Sequence, residues 1–431
     1  MYDEDIDNMS NEFEDEFGPI LYTNERHERL SQKNKEAIKK FMGRGPRSVE
    51  VFSPEPYYFK LLAWTVKAYA ASVGWKIMSV YAYSRKEPVY LNVPTDYQQF
   101  ESCLSDGQLL VENGEERFVI TISGGMGYGA FIQVDGIIAH KEKVKQIIKD
   151  IGDFMRKNNF YKGKKICLDK EITFLNPGER SWGSVILDPV LKQEIYRNTV
   201  GFLKHCNQIT DYHVPFKRGV ILSGEPGTGK TIICKALMSV ANGTTCITTT
   251  AYRMFQERYI TELYALARDL SPSLVCIEDL DFVGQERIYS YRGSPPLIAL
   301  LAEMDGIEDR TAIVTIATTN SVESLDKALS ERPSRFDRVF LIPRPDYQRR
   351  VELLKYMAQT TPLSEEIIEY VARKTEGYTP AQLQEVPYSM VIAQFDESEK
   401  VTGFSPADAD AVISQMNFKK GGAIGFSRQL P

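Results

Sequence analysis

The sequence predicts an α/β protein: a parallel sheet flanked by helices, followed by a small helical lid and preceded by a separate N-terminal α/β domain. Three observations predict it. From about residue 181 to 342, short apolar runs alternate with stretches of helical periodicity, the pattern of strands covered on both faces by crossover helices. One of those runs, Gly219-Val220-Ile221-Leu222, leads into Gly224-Glu225-Pro226-Gly227-Thr228-Gly229-Lys230-Thr231, and the apolar segment 232–237 leads out. After Pro343-Arg344-Pro345 only helical periodicity remains.

Residues 1–47 read as an acidic, disordered arm. Its first 18 residues hold eight acids (Asp3, Glu4, Asp5, Asp7, Glu12, Glu14, Asp15, Glu16) and no base, which suits a solvated tail or a docking segment for a basic partner. The whole chain of 431 residues has a formal charge of −6, so without those 18 residues the body is nearly neutral. No overall basic field is present, and nucleic acid is not an expected partner. Six cysteines without a Cys-x-x-Cys pair and four histidines without ligand spacing predict reduced thiols and no structural zinc. The longest apolar region, 57–83, is broken by Lys60, Lys67 and Lys76, and the acidic start is unlike a secretory signal. The expectation is a cytoplasmic protein without membrane insertion.

The domain 48–175 is expected to be α/β and to serve as a substrate or adaptor domain. Pro54-Glu55-Pro56 opens an amphipathic helix carrying Phe59, Leu62, Trp64, Val66 and Tyr69, and strands are predicted at 77–83, 117–122 and 130–134. The cluster Gly124-Gly125-Met126-Gly127-Tyr128-Gly129 joins two strands and precedes no helix, so it reads as a hairpin turn rather than a phosphate loop. Val144, Ile147, Ile148, Ile151 and Phe154 give one face to the helix that follows. In the domain 176–345, Asp188-Pro189 is an N-cap and first-turn pair, and four strands follow the phosphate-loop strand, at 245–248, 274–277, 312–317 and 338–342. The lid, 346–418, shows three helical faces, and 419–431 is a tail.

The chemistry follows from residue types at strand ends. Glycines at 224, 227 and 229 let the backbone fold around an anion at a helix N-terminus, where free amides and the helix dipole favour phosphate. Lys230 would reach the β- and γ-phosphates of ATP, and Thr231 would put its hydroxyl on Mg²⁺. About 48 residues on, the apolar run 274–277 ends in Glu278-Asp279-Leu280-Asp281. Glu278 is assigned to the metal and Asp279 to the attacking water. At the end of the run 313–317, Thr318-Thr319-Asn320 places an uncharged amide able to hold that water in line. Arg332-Pro333-Ser334-Arg335-Phe336-Asp337-Arg338 adds guanidinium groups, which suit charge building on the γ-oxygens but also read as surface charges.

Taken in order, these segments resemble the AAA family of ATPases within the AAA+ group over about residues 181–390. The resemblance rests on Leu300-Leu301-Ala302-Glu303-Met304-Asp305-Gly306, Ala317-Thr318-Thr319-Asn320, the arginine segment 332–338, and Gly377-Tyr378-Thr379-Pro380-Ala381-Gln382-Leu383. It implies that Asn320 senses the γ-phosphate and that Arg332 and Arg335 enter a neighbouring subunit's site in a homo-oligomeric ring, a hexamer by expectation. It also puts Tyr252 at the aromatic that grips a polypeptide in the central pore, and the loop with Arg287, Tyr289, Tyr291 and Arg292 at a second pore loop. Three departures stand out: the order Glu278-Asp279 where most relatives have Asp-Glu, Met254 where the pore loop has Gly, and Glu331 lengthening the arginine loop. The Glu-Asp order is similar to the mitochondrial AAA proteins that assemble the cytochrome bc1 complex, which form heptamers. The resemblance implies an ATP-hydrolysing motor that remodels, unfolds or disassembles proteins. A nucleotide-gated assembly scaffold with slow hydrolysis, and a motor acting on nucleic acid, are the alternatives.

Overall fold

The computed structural model describes residues 24–125, 129–176, 181–209, 212, 215–256, 258–285, 295–306, 311–320, 336–397, 401 and 403–421. It divides into two compact units, Met1–Phe160 and Tyr161–Pro431.

The first unit is built on an antiparallel sheet. Its strands are β1 (Arg47–Phe52), β2 (Lys76–Tyr81), β3 (Val89–Asp96), β4 (Gln99–Asn113), β5 (Glu116–Gly125) and β6 (Gly129–Ile137), in the order β1-β6-β5-β4-β2 with β3 also paired to β4. Gly125 pairs with Gly129, so the glycine cluster joins two antiparallel strands as expected, with residues 126–128 outside the described residues. Helices α1 (Asn24–Met42), α2 (Phe59–Ser72) and α3 (Lys141–Lys157) cover the sheet. Alternation along β5 sends Phe118, Ile120 and Ile122 to one face and Val119 and Thr121 to the other, and all five are buried. Phe118 stacks on Trp75 beneath α2 and α3, whereas Val119 packs with Ile38 and Met42 of α1.

This corrects the expected arm over its second half: 24–42 is a helix. Its apolar stripe is short, with Ile38 and Met42 one turn apart, and becomes recognisable only when Leu110 and Val119 receive it. Residues 1–23 lie outside the described residues.

The second unit carries a seven-stranded sheet. Strands β7 (Lys165–Leu168), β8 (Ile172–Phe174), β9 (Lys217–Ser223), β10 (Thr245–Thr250), β11 (Ser273–Glu278), β12 (Ile313–Thr319) and β13 (Arg338–Leu341) lie in the order β13-β9-β12-β11-β10-β7-β8. All pairings are parallel except β7 with β8. The parallel sheet flanked by helices is therefore present, with the four strands expected after β9. The expected boundary at 175 moves, because β7 and β8 belong to this sheet. Ile166 and Leu168 are buried, Lys165 Nζ donates to Ala241 O at 2.9 Å, and Gly163 N donates to Thr245 Oγ1 at 2.9 Å.

The crossover helices are α4 (Pro189–Asn198), α5 (Val200–Ile209), α6 (Lys230–Val240), α7 (Tyr259–Asp269), α8 (Asp281–Gln285) and α9 (Pro295–Asp305). Asp188 caps α4 by accepting from Val190 N and Leu191 N, as its type and place predict. The lid has α10 (Tyr347–Met357), α11 (Glu365–Lys374), α12 (Pro380–Glu397) and α13 (Pro406–Gly421), one helix more than the three expected. Ala409, Val412 and Ile413 of α13 complete a core with Leu354, Ile368, Val371 and Leu383. Buried Arg350 donates Nε to Ala372 O at 2.9 Å and Nη1 to Pro345 O at 3.0 Å, fastening α10 to α11 and to the chain entering the lid.

Candidate nucleotide site

β9 and β12 are neighbours in register, with Ser223 opposite Thr319, so the loop after β9 and Asn320 after β12 leave the same sheet edge side by side. β11 is the next strand, and it brings Glu278 and Asp279 to that edge. In an open parallel sheet this C-terminal edge is where ligands bind.

The loop is shaped by its glycines. Gly227 and Gly229 have φ of +82° and +99°, which side chains rarely adopt, and Gly229 then starts α6. A Cβ on Gly224 would stand 2.4 Å from Ile342 O, so the loop lies directly against the chain leaving β13. Thr228 Oγ1 donates to Glu225 O at 2.9 Å and braces the turn. Lys230, buried at the helix start, donates Nζ to Gly224 O at 2.6 Å, Glu225 O at 3.0 Å and Asn320 Oδ1 at 2.8 Å. Burial pushes its ammonium pKa down, while the charges of Asp279 and Asp281 oppose the shift.

The two acids of the strand end differ. Glu278 ends β11 and is hydrogen-bonded to Thr231; burial raises its pKa. Asp279 has left the strand, with φ of +57°, and its N–H donates to Thr318 Oγ1 at 3.0 Å. An aspartate tolerates this left-handed conformation, which recurs at functional sites. Asp279 and Asn320 share the wall of one cavity with Pro226, Gly227, Lys230 and Thr231.

Asp281 is a site residue that the sequence reading left without a role. Its carboxylate accepts from Asn320 N at 3.1 Å and from Asn320 Nδ2 at 3.3 Å, so it fixes the amide whose oxygen meets Lys230. The available signal was a third acid two residues past Asp279.

The cavity measures about 600 Å³, within the range of small-molecule sites. The loop and strand ends form its polar side, and Val185, Leu187, Leu353 and Met357 form an apolar end. The lid closes onto the loop: Ala381 N donates to Gly227 O at 3.1 Å, and Arg344 bridges Glu225 Oε1 at 3.0 Å and Gly377 O at 2.5 Å.

One predicted residue stands apart from this cluster. Tyr252 lies on the short turn Ala251–Phe255 after β10 and is 68% exposed, above buried Ala251 and Met254. Tyr252 is therefore a surface residue and not part of the core. Phe255 on the same turn and Phe282 on α8, which packs against the turn, are also exposed. Arg332 and Arg335, Glu331 and the loop with Arg287, Tyr289, Tyr291 and Arg292 lie outside the described residues. The described end of the arginine segment is anchored by Asp337 Oδ2, which accepts from Gly219 N at 3.3 Å.

Comparison with known proteins agrees with this geometry. Residues 220–344 match the profile of the ATPase family associated with various cellular activities (AAA). The chain is similar to the ATP-dependent zinc metalloprotease FtsH 3 of Sorangium cellulosum, 38% identical over 207 residues, covering 45% of this chain and 34% of the relative. It is similar to the proteasome-activating nucleotidase of Thermococcus kodakarensis, 30% identical over 264 residues, covering 55% of this chain and 66% of the relative. The FtsH of Mycoplasmopsis pulmonis is 32% identical over 251 residues, with 52% of this chain and 34% of the relative covered. The chain thus spans about a third of the length of the FtsH relatives. With a matched AAA model over residues 220–344 and a glycine loop, two acids and a polar amide gathered at the edge of its parallel sheet, the chain carries an ATPase domain of the AAA family.

Proposed function

We propose that the chain is an ATP-hydrolysing motor that unfolds, disassembles or otherwise remodels protein substrates as a ring of like subunits, with six the expected number and seven the alternative. The observation that carries the ATPase part is the convergence of Lys230, Asp279 and Asn320 on one cavity wall beneath the glycine loop. In this reading the amides of 227–231 and the α6 N-terminus bind the phosphates, and Lys230 exchanges its carbonyl partners for phosphate oxygens. The apolar end around Val185, Leu187, Leu353 and Met357 receives the base.

Thr231 and Glu278 offer two adjacent hard oxygens, of the kind that would hold Mg²⁺. When bound, the cation neutralises charge on the phosphates. Asp279, free of that pair and facing the cavity, accepts the proton of the attacking water, and Asn320 orients that water. Arg332 and Arg335 are proposed to complete the site of the adjacent subunit, which makes turnover depend on assembly.

The exposure of Tyr252, with exposed Phe255 on the same turn and exposed Phe282 on α8, which packs against that turn, supports contact with an extended polypeptide, since aromatic rings pack on chains of any sequence. Among the described residues no helix is long and apolar enough to cross a membrane, and none of the six cysteines is in a disulfide. A cytoplasmic location is part of the proposal. Turnover of the purified chain with and without an unfolded polypeptide tests the function. Stimulation is expected, and it should be lost in Tyr252→Ala. Slow turnover that no polypeptide changes would overturn the motor in favour of a nucleotide-gated scaffold.

A further inference from the structure

The first unit holds a second large cavity, of about 700 Å³, which the nucleotide chemistry does not use. Six cations line it: Lys35 and Lys39 of α1, Arg44 and Arg47 before and at the start of β1, and Arg85 and Lys86 of the β2–β3 connection. All six are exposed, and Lys35, Lys39, Arg44 and Arg85 make no ion pair among the described residues. Asn34 Nδ2 donates to Ala82 O at 3.3 Å and ties α1 to the β2–β3 connection, joining two basic walls.

The floor is different. Gln133 commits its amide nitrogen to Asp135, at 3.1 and 3.0 Å from the two carboxylate oxygens, and Gln108 commits its own to Thr121 Oγ1 at 3.0 Å. What the floor presents is therefore acceptor oxygen: two amide carbonyls and a buried carboxylate. A phosphate group would meet the Asp135 carboxylate there, and the like charges repel. An extended peptide fits both parts, because its backbone N–H groups can donate to the floor while acidic side chains reach the cationic rim.

We propose that this cavity is a receptor for a carboxylate-rich peptide, and that its occupant is this chain's own N-terminal segment, residues 1–18. Charge complementarity is the first ground: eight acids and no base face six cations. Reach is the second. From Asn24 to Lys39 along α1 is about 22 Å. The chain between Asp7 and Asn24 spans up to about 55 Å when extended, so the acids can return to the rim.

The test uses the full chain with the eight acids replaced by their amides (Asp→Asn, Glu→Gln) and a fluorescent peptide of residues 1–18. Anisotropy should show the peptide binding this variant at least about tenfold more tightly than the unaltered chain, whose own segment competes. Adding Lys39→Ser, Arg44→Ser and Arg85→Ser should abolish binding while leaving ATP turnover intact, which reports the fold. Raising salt from about 50 to about 200 mM should weaken binding about tenfold. Equal affinity for both chains would overturn occupancy by the chain's own segment. Binding that survives loss of the three cations would overturn the site. Displacement by oligouridine more readily than by oligoglutamate would overturn the peptide class in favour of nucleic acid.

Discussion

The two cavities of this chain handle positive charge in opposite ways. In the second unit a single buried lysine is held on three oxygens by a loop whose glycines let the backbone close around it. In the first unit six exposed cations stand on flexible stems around an acceptor-lined floor. The first arrangement has lost its conformational freedom during folding and suits chemistry, where position within a fraction of an ångström decides rate. The second keeps that freedom, and suits a ligand recognised by charge density more than by shape.

Substitutions at four residues test the preorganised half of this contrast. Lys230→Ala should have the largest effect, lowering ATP affinity by about 100-fold or more, because it removes a charge-assisted contact from a buried site. Calorimetric titration measures it, and near-normal affinity would refute the assignment. Asp279→Asn should bind ATP within about threefold of the unaltered chain while turnover falls about 100-fold, separating the water-activating acid from the binding groups. If affinity falls as far as turnover, Asp279 is a binding residue instead. Asp281→Ala should reduce kcat about tenfold with little change in KM, since Asn320 loses both of its carboxylate bonds. Asp281→Asn, which keeps one acceptor, should fall between. Arg344→Ala should do least, changing nucleotide affinity by no more than about threefold, because its pair with Glu225 is exposed and screened. A larger loss would show that the lid contact, and not the loop, positions the nucleotide.

The nucleotide unit was legible because its signals are local. A phosphate loop between a strand and a helix needs only neighbouring residues, and the strands that follow are continuous apolar runs. The first unit was harder. β4, its hub, pairs with β2, β3 and β5, yet its central stretch includes Cys103, Leu104, Ser105 and Asp106, all buried, with no alternation to mark a strand. Asp106 is tolerated there because Ser84 N, Ser84 Oγ and Ser123 Oγ donate to it at 2.9, 2.6 and 2.8 Å. None of those partners is near it in sequence. β1, β3 and α1 were missed for the same reason: one or two turns or pleats of apolar residue carry too little periodicity until a neighbour covers them.

What the residues alone determined is the local backbone: glycines where φ must be positive, a capped helix after Asp188, apolar strands ending in acids, and with them the lysine that opens the helix after the glycine loop. What only the tertiary structure decided is which groups meet. Lys230 and Asn320 lie 90 positions apart, and Asp281 and Asn320 lie 39 apart. These pairs exist because β9, β12 and β11 are adjacent in a sheet whose strand order is not their chain order. Strand order is set by how the apolar faces of whole elements cover one another, a cooperative quantity that no short window of sequence contains.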